Sequence, residues 1–123
     1  MSYVLVIAHS RETIDGLHAY LGGMGIESHG MRALGDVGRV PATATGVVVF
    51  PDDFDAGAVV AVLRSLRDAR PGLLIVLVTG APQRFHEVLA SDPRGGSIVA
   101  LPKPAFGWTI LDAIRKHAES RSV

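Results

Sequence analysis

Short apolar runs alternate with segments whose apolar residues recur every three or four positions. Tyr3-Val4-Leu5-Val6-Ile7 is β-branched and uninterrupted, which predicts a strand buried on both faces. After it, Ser10 offers an N-cap and Glu12 suits a first helical turn. Ile14, Leu17, Leu21 and Met24 then form one helical stripe, which Gly22, Gly23 and Gly25 bring to an end. Residues 26–31 predict a weaker, half-polar strand near a sheet edge. Residues 33–45 hold Gly35, Gly38 and Pro41, so any helix there is short or distorted.

Val47-Val48-Val49-Phe50 predicts a second fully buried strand, stopped by Pro51. Asp52, Asp53 and Asp55 offer caps for a helix carrying Val59, Val62, Leu63 and Leu66 on one face. Pro71-Gly72 breaks it. Residues 73–78 predict a fourth strand ending in Thr79-Gly80. A short helix follows within residues 82–91, with Phe85, Val88 and Leu89 inward, and residues 92–96 read as a loop. Residues 97–101 predict the fifth strand, and a last helix carries Trp108, Ile110, Leu111, Ile114 and Ala118. Trp108 is expected in the core beneath that helix.

Apolar parallel strands separated by amphipathic helices predict an α/β sandwich with right-handed crossovers. For five strands, the flavodoxin-like order 2-1-3-4-5 is the commonest solution. Ligands in such sheets sit at the carboxyl ends of the strands. Those ends are Ala8-His9, Pro51-Asp52-Asp53, Thr79-Gly80 and Pro102-Lys103.

Composition narrows the chemistry. The 123 residues, 48% hydrophobic, fit one domain, taken as residues 1–123, with enough chain to bury a core. Formal charge is zero, so the basic footprint of a nucleic-acid binder is missing. Without cysteine there is no disulfide or thiolate chemistry. No apolar run approaches a membrane span, and residues 3–8 are too short for a signal peptide. A soluble cytoplasmic protein is the expectation. His9, His18, His29, His86 and His117 show no metal-ligand spacing, so no metal site and no cofactor are expected. The glycines at 22, 23 and 25 follow a helix rather than open one, which fails the context of a phosphate-cradling loop.

Lys103 stands out. It is one of only two lysines against ten arginines, and Pro102 and Pro104 flank it. A compact, mobile ammonium suits a phosphoryl or carboxylate group. With Thr79 it forms a candidate anion or carboxylate pocket.

The element order, Gly25-Ile26 after the first helix, Thr79 after the fourth strand and Lys103-Pro104 after the fifth together resemble the receiver (CheY-like) domains of bacterial response regulators, over essentially the whole chain. The resemblance implies a non-enzymatic signalling module of two-component or phosphorelay type. In that family an acidic pair ends the first strand and binds Mg²⁺, and an aspartate ending the third accepts a phosphoryl group. A Thr or Ser and a Lys contact the phosphoryl oxygens, and an aromatic residue in the fifth strand switches rotamer. Here the acidic pair falls on Ala8 and His9, the acceptor on Pro51, and the switch aromatic on Val99 or Ala100. Thr79 and Lys103 match. The resemblance also implies a cis bond between Lys103 and Pro104.

Phosphoryl transfer to a carboxylate needs a nucleophile, a divalent cation and donors for the moving group. Only the donors remain, which implies a pseudo-receiver acting through protein contacts. The alternatives are an active acceptor at Asp52 or Asp53, or a small anion or nucleotide binder at the strand ends. Capping of the third helix is the expected role of Asp52 and Asp53, compatible with an Asp52–Lys103 ion pair. His9 is expected to be an inert polar residue. The resemblance places partner contacts or a homodimer on the face of the fourth helix, fifth strand and fifth helix, where Arg84, Glu87, Trp108 and Arg115 fall. The partner would be a kinase, regulator or effector domain, with neither nucleic acid nor membrane involved. The protein would be stand-alone or the N-terminal domain of a longer chain.

Overall fold

A computed structural model describes residues 3–34, 40–90, 98–105 and 107–121. Five parallel strands form one sheet: β1 Tyr3–Ile7, β2 Glu27–Met31, β3 Gly46–Val49, β4 Leu74–Thr79 and β5 Ile98–Pro102. Their order is β2-β1-β3-β4-β5, as the alternating pattern predicts. The helices are α1 Arg11–Gly23, α2 Ala56–Ala69, α3 His86–Ala90 and α4 Gly107–Arg121, with short 3₁₀ turns at Pro51–Asp53 and Pro82–Phe85. The short helix considered for residues 33–45 lies partly outside the described residues, which omit 35–39. The described part of that segment holds no α-helix. The loop expected at residues 92–96 lies wholly outside them.

The central strands are apolar throughout because both faces are covered. Leu5, Ile7, Val47, Val49, Ile75 and Leu77 pack with Val59, Leu63 and Leu66 of α2 and with Phe85 and Val88. The alternate residues Val4, Val6, Val48, Leu74, Val76 and Val78 pack with Leu17 and Leu21 of α1 and Ile110, Leu111 and Ile114 of α4. Strand pleating sends successive side chains to opposite faces, so one sequence run fills two cores.

Local chemistry sets the helix ends. Ser10 caps α1 by accepting from Thr13 N–H. At its other end the Gly25 N–H donates to Gly22 and the Ile26 N–H to Leu21, with Gly25 at φ +81°. That left-handed turn is where glycine carries no Cβ penalty. Met24, placed by the periodicity on the buried stripe, instead occupies the C-cap and is exposed. Asp55, not Asp52 or Asp53, caps α2, accepting from Ala58 N–H at 3.0 Å. The capping role expected of Asp52 and Asp53 is therefore corrected.

Gly30 marks a close approach between β2 and α1. A Cβ there would collide with the Ile14 side chain. Ile14 is only half buried, at the margin of its core. We expect Gly30→Ala to destabilise the fold by about 1 kcal/mol through overpacking, read as a lower midpoint in urea unfolding.

Candidate functional site

Strand order decides where the acids at the end of β3 point. β3 lies between β1 and β4, and Pro51 opens a tight turn directly after it. Proline presets φ and needs no N–H partner, which suits the first position of such a turn. The next two residues diverge. Asp53 reaches toward β1, where Oδ2 accepts the His9 N–H at 2.9 Å. Asp52 reaches over the ends of β4 and β5.

The Asp52 carboxylate is fully engaged. Oδ1 accepts from the Thr79 hydroxyl at 2.6 Å. Oδ2 accepts from the Gly80 N–H at 2.9 Å and lies 3.4 Å from Lys103 Nζ. Thr79 is buried, and its Oγ1 in turn accepts the Ala81 N–H at 3.0 Å. The acid thus fixes the first residues of the β4–α3 connection through a side chain and a backbone amide. Burial pushes the Asp52 carboxyl upward, but the Thr79 hydroxyl, the Gly80 N–H and the Lys103 charge outweigh it and hold the pKa below its ordinary value.

Most of the residues singled out in the sequence converge here. Thr79 and Lys103 come together, with Asp52 between them. Ala8 and Pro51 are buried at the neighbouring strand ends, and His9 is exposed. The Lys103–Pro104 bond is cis, as the resemblance implies. Gly80 stands at a strand end named in the sequence, but its role as a donor to Asp52 has no sequence signal, because it is a backbone N–H that any residue but proline could supply. Among the described residues no three of His, Cys, Asp or Glu gather in a metal-binding arrangement.

Two further placements matter. Trp108, expected in the core, is 60% exposed: it lies in the first turn of α4, ahead of the buried stripe of Ile110, Leu111 and Ile114. With exposed Arg84, Glu87 and Arg115 it stays available for contacts, although Glu87 also pairs with Arg64 of α2 at 3.5 Å. Val99 and Ala100 in β5 are half buried and carry no aromatic ring.

No family model matches the sequence, and no curated protein matches it. Solved structures do match over the whole chain. A CheY-like response regulator receiver domain protein from Methanospirillum hungatei JF-1 superposes with a TM-score of 0.80 at 16% identity, covering 99% of this chain and 98% of that one. A response regulator receiver domain protein from Clostridium thermocellum gives 0.78 at 16% identity, with 99% and 98% covered. A two-component response regulator from Clostridium difficile gives 0.77 at 12% identity, with both chains fully covered. The chain has the CheY-like, flavodoxin-type fold.

Proposed function

We propose that this protein is a receiver-like signalling module whose phosphoryl-contacting groups are occupied by its own Asp52, so that it acts through protein contacts without being phosphorylated. One observation carries this reading: the Asp52 carboxylate takes the Thr79 hydroxyl, the Gly80 N–H and the Lys103 ammonium at once. On the receiver resemblance, Thr79 and Lys103 would otherwise contact phosphoryl oxygens. A carboxylate offers the same donors a fixed negative charge with two acceptor oxygens.

The alternative, Asp52 as acceptor, meets three obstacles. Both of its oxygens already accept hydrogen bonds, which withdraws the electron density a nucleophile needs. The Thr79 hydroxyl and the Gly80 N–H, which would contact a transferred phosphoryl group, are spent on the nucleophile itself, and the Lys103 charge is already offset by it. Ala8 and His9 stand where the family holds its acidic pair, and Mg²⁺ prefers oxygen ligands. The partner face would be formed by α3, β5 and α4, and the β4–α3 connection fixed by Thr79 and Gly80 leads straight into it.

Acetyl phosphate with Mg²⁺ tests this. Intact-mass spectrometry is expected to show unmodified protein after prolonged incubation. A phosphoryl adduct that disappears in Asp52→Asn would overturn the proposal in favour of the acceptor reading. A stable adduct lost instead in Asp53→Asn would place the chemistry one residue further on and overturn it equally.

A further inference from the structure

Beside the Asp52 pocket, on the α1–α4 side of the sheet, a groove of about 740 Å³ opens along the strand ends. Ligand sites typically run from roughly 300 to 1,000 Å³ and combine apolar walls with a few polar groups. Three of the chain's seven aromatic residues line this groove: Tyr20 of α1, Phe50 after β3 and Trp108 of α4. Trp108 is the more telling for being 60% exposed, since a large ring held open to water at a groove mouth is suited to stacking.

The opposite wall contains Gly16, in the interior of α1. A glycine there costs helix stability relative to alanine. Packing does not require it, since a Cβ at Gly16 would meet no atom within 4 Å. Its bare backbone leaves one flank of the groove flat.

The polar groups select the ligand's charge. Asp53 and Lys103 both line the groove. The Lys103 charge is offset by Asp52, while Asp53 takes part in no ion pair among the described residues. The local balance is therefore one net negative charge, which disfavours a phosphate ester. Asp53 still has acceptor capacity, since only Oδ2 is used, and by the His9 N–H. The ammonium of Lys103 has donors beyond the single 3.4 Å contact with Asp52. A ligand edge that both donates and accepts fits that pair.

We propose that the groove binds a neutral planar heteroaromatic of the nucleobase class, a free base or nucleoside, stacked against Trp108 with its polar edge toward Asp53 and Lys103. The inference is independent of whether Asp52 can be phosphorylated.

Trp108 is the only tryptophan, so its fluorescence reports on the groove directly. Purified protein is titrated with adenosine, guanosine, cytidine and uridine and with their 5′-monophosphates, with ligand-observed NMR as a second readout. The expected result is saturable quenching by at least one nucleoside, weaker for its monophosphate. Gly16→Ala should melt at higher temperature and bind somewhat more weakly than wild type, because its methyl projects onto the flat flank of the groove. Gly16→Phe, which fills the groove from an open helix position, should weaken binding by on the order of tenfold or more, about 1.4 kcal/mol, while its circular dichroism stays native. Asp53→Ala should narrow the preference for the nucleoside over its phosphate. No saturable response at millimolar concentration, tighter binding of the monophosphates, or binding unchanged in Gly16→Phe would each overturn the proposal.

Discussion

Replacing Asp52 with alanine is expected to lower stability by about 1–3 kcal/mol at neutral pH, the range for leaving buried polar partners unsatisfied. Three partners lose their acceptor together. The buried Thr79 hydroxyl and the Gly80 amide must find water, and Lys103 loses its counter-charge. The lower end of that range applies if solvent enters readily, since the Asp52 side chain is 26% exposed. The loss should also be local. Hydrogen exchange at Gly80 and Ala81 is expected to quicken more than exchange in β1 or β3, because the acid anchors the β4–α3 connection.

The same substitution has a pH signature. The folded-state pKa of Asp52 lies below the ordinary 3.8. A carboxyl lowered on folding stabilises the native state fully above its unfolded value. That contribution disappears as pH falls through the folded value. Wild-type protein should therefore lose stability on acidification below about pH 4, and Asp52→Ala should lose less over that interval. Chemical denaturation at stepped pH reads both curves. Parallel curves would mean that the carboxylate is not held as described.

A comparably large effect is expected at the opposite end of the sheet. Arg70 ends α2 and sends its guanidinium into the segment leading to β3. Nη1 donates to the Pro41 carbonyl at 2.8 Å, and Nη2 donates to Ala44 at 2.7 Å and Ala42 at 3.2 Å. Three carbonyls in one short segment can be served by one planar fork of donors, a geometry lysine cannot reproduce. Ala44 is buried, so its carbonyl gains little from water once the fork is gone. Arg70→Ala is expected to cost about 2–3 kcal/mol, with Arg70→Lys recovering less than half. The check is the denaturation midpoint of both variants. Equal stability of the lysine variant and wild type would show that charge alone, not the fork, holds the segment.

Much of this architecture is legible in the sequence because it rests on patterns that repeat. The runs at Tyr3–Ile7 and Gly46–Val49 have nowhere to go but the middle of a parallel sheet, and the stripes of α1, α2 and α4 must cover it. Thr79 and Lys103 are legible as a pair because strand ends converge in this topology. The partner between them is legible only as a choice: an Asp52–Lys103 ion pair is compatible with the sequence, but so are other roles for each acid. A window around Pro51 offers three aspartates, all acceptable helix caps, and nothing local distinguishes them. The choice depends on how the 3₁₀ turn at Pro51–Asp53 orients each residue toward a different neighbouring strand. Asp55 keeps the capping role, Asp53 closes on His9, and Asp52 fills the pocket. Trp108 failed for a related reason. Its spacing fits the stripe to Leu111, but it lies in the first turn of α4, at the mouth of a groove rather than over the packed layer. Arg70 had no signal, because its partners are backbone carbonyls that carry no side-chain signature.

The most direct test of the self-occupied pocket is the amide proton of Gly80 in an acid titration followed by NMR. With the carboxylate of Asp52 accepting that N–H, the resonance should sit downfield at neutral pH. It should then move upfield with a midpoint below the ordinary aspartate value, and lose the transition in Asp52→Ala. A Gly80 resonance that ignores pH, or that titrates at or above the ordinary value, would contradict the account.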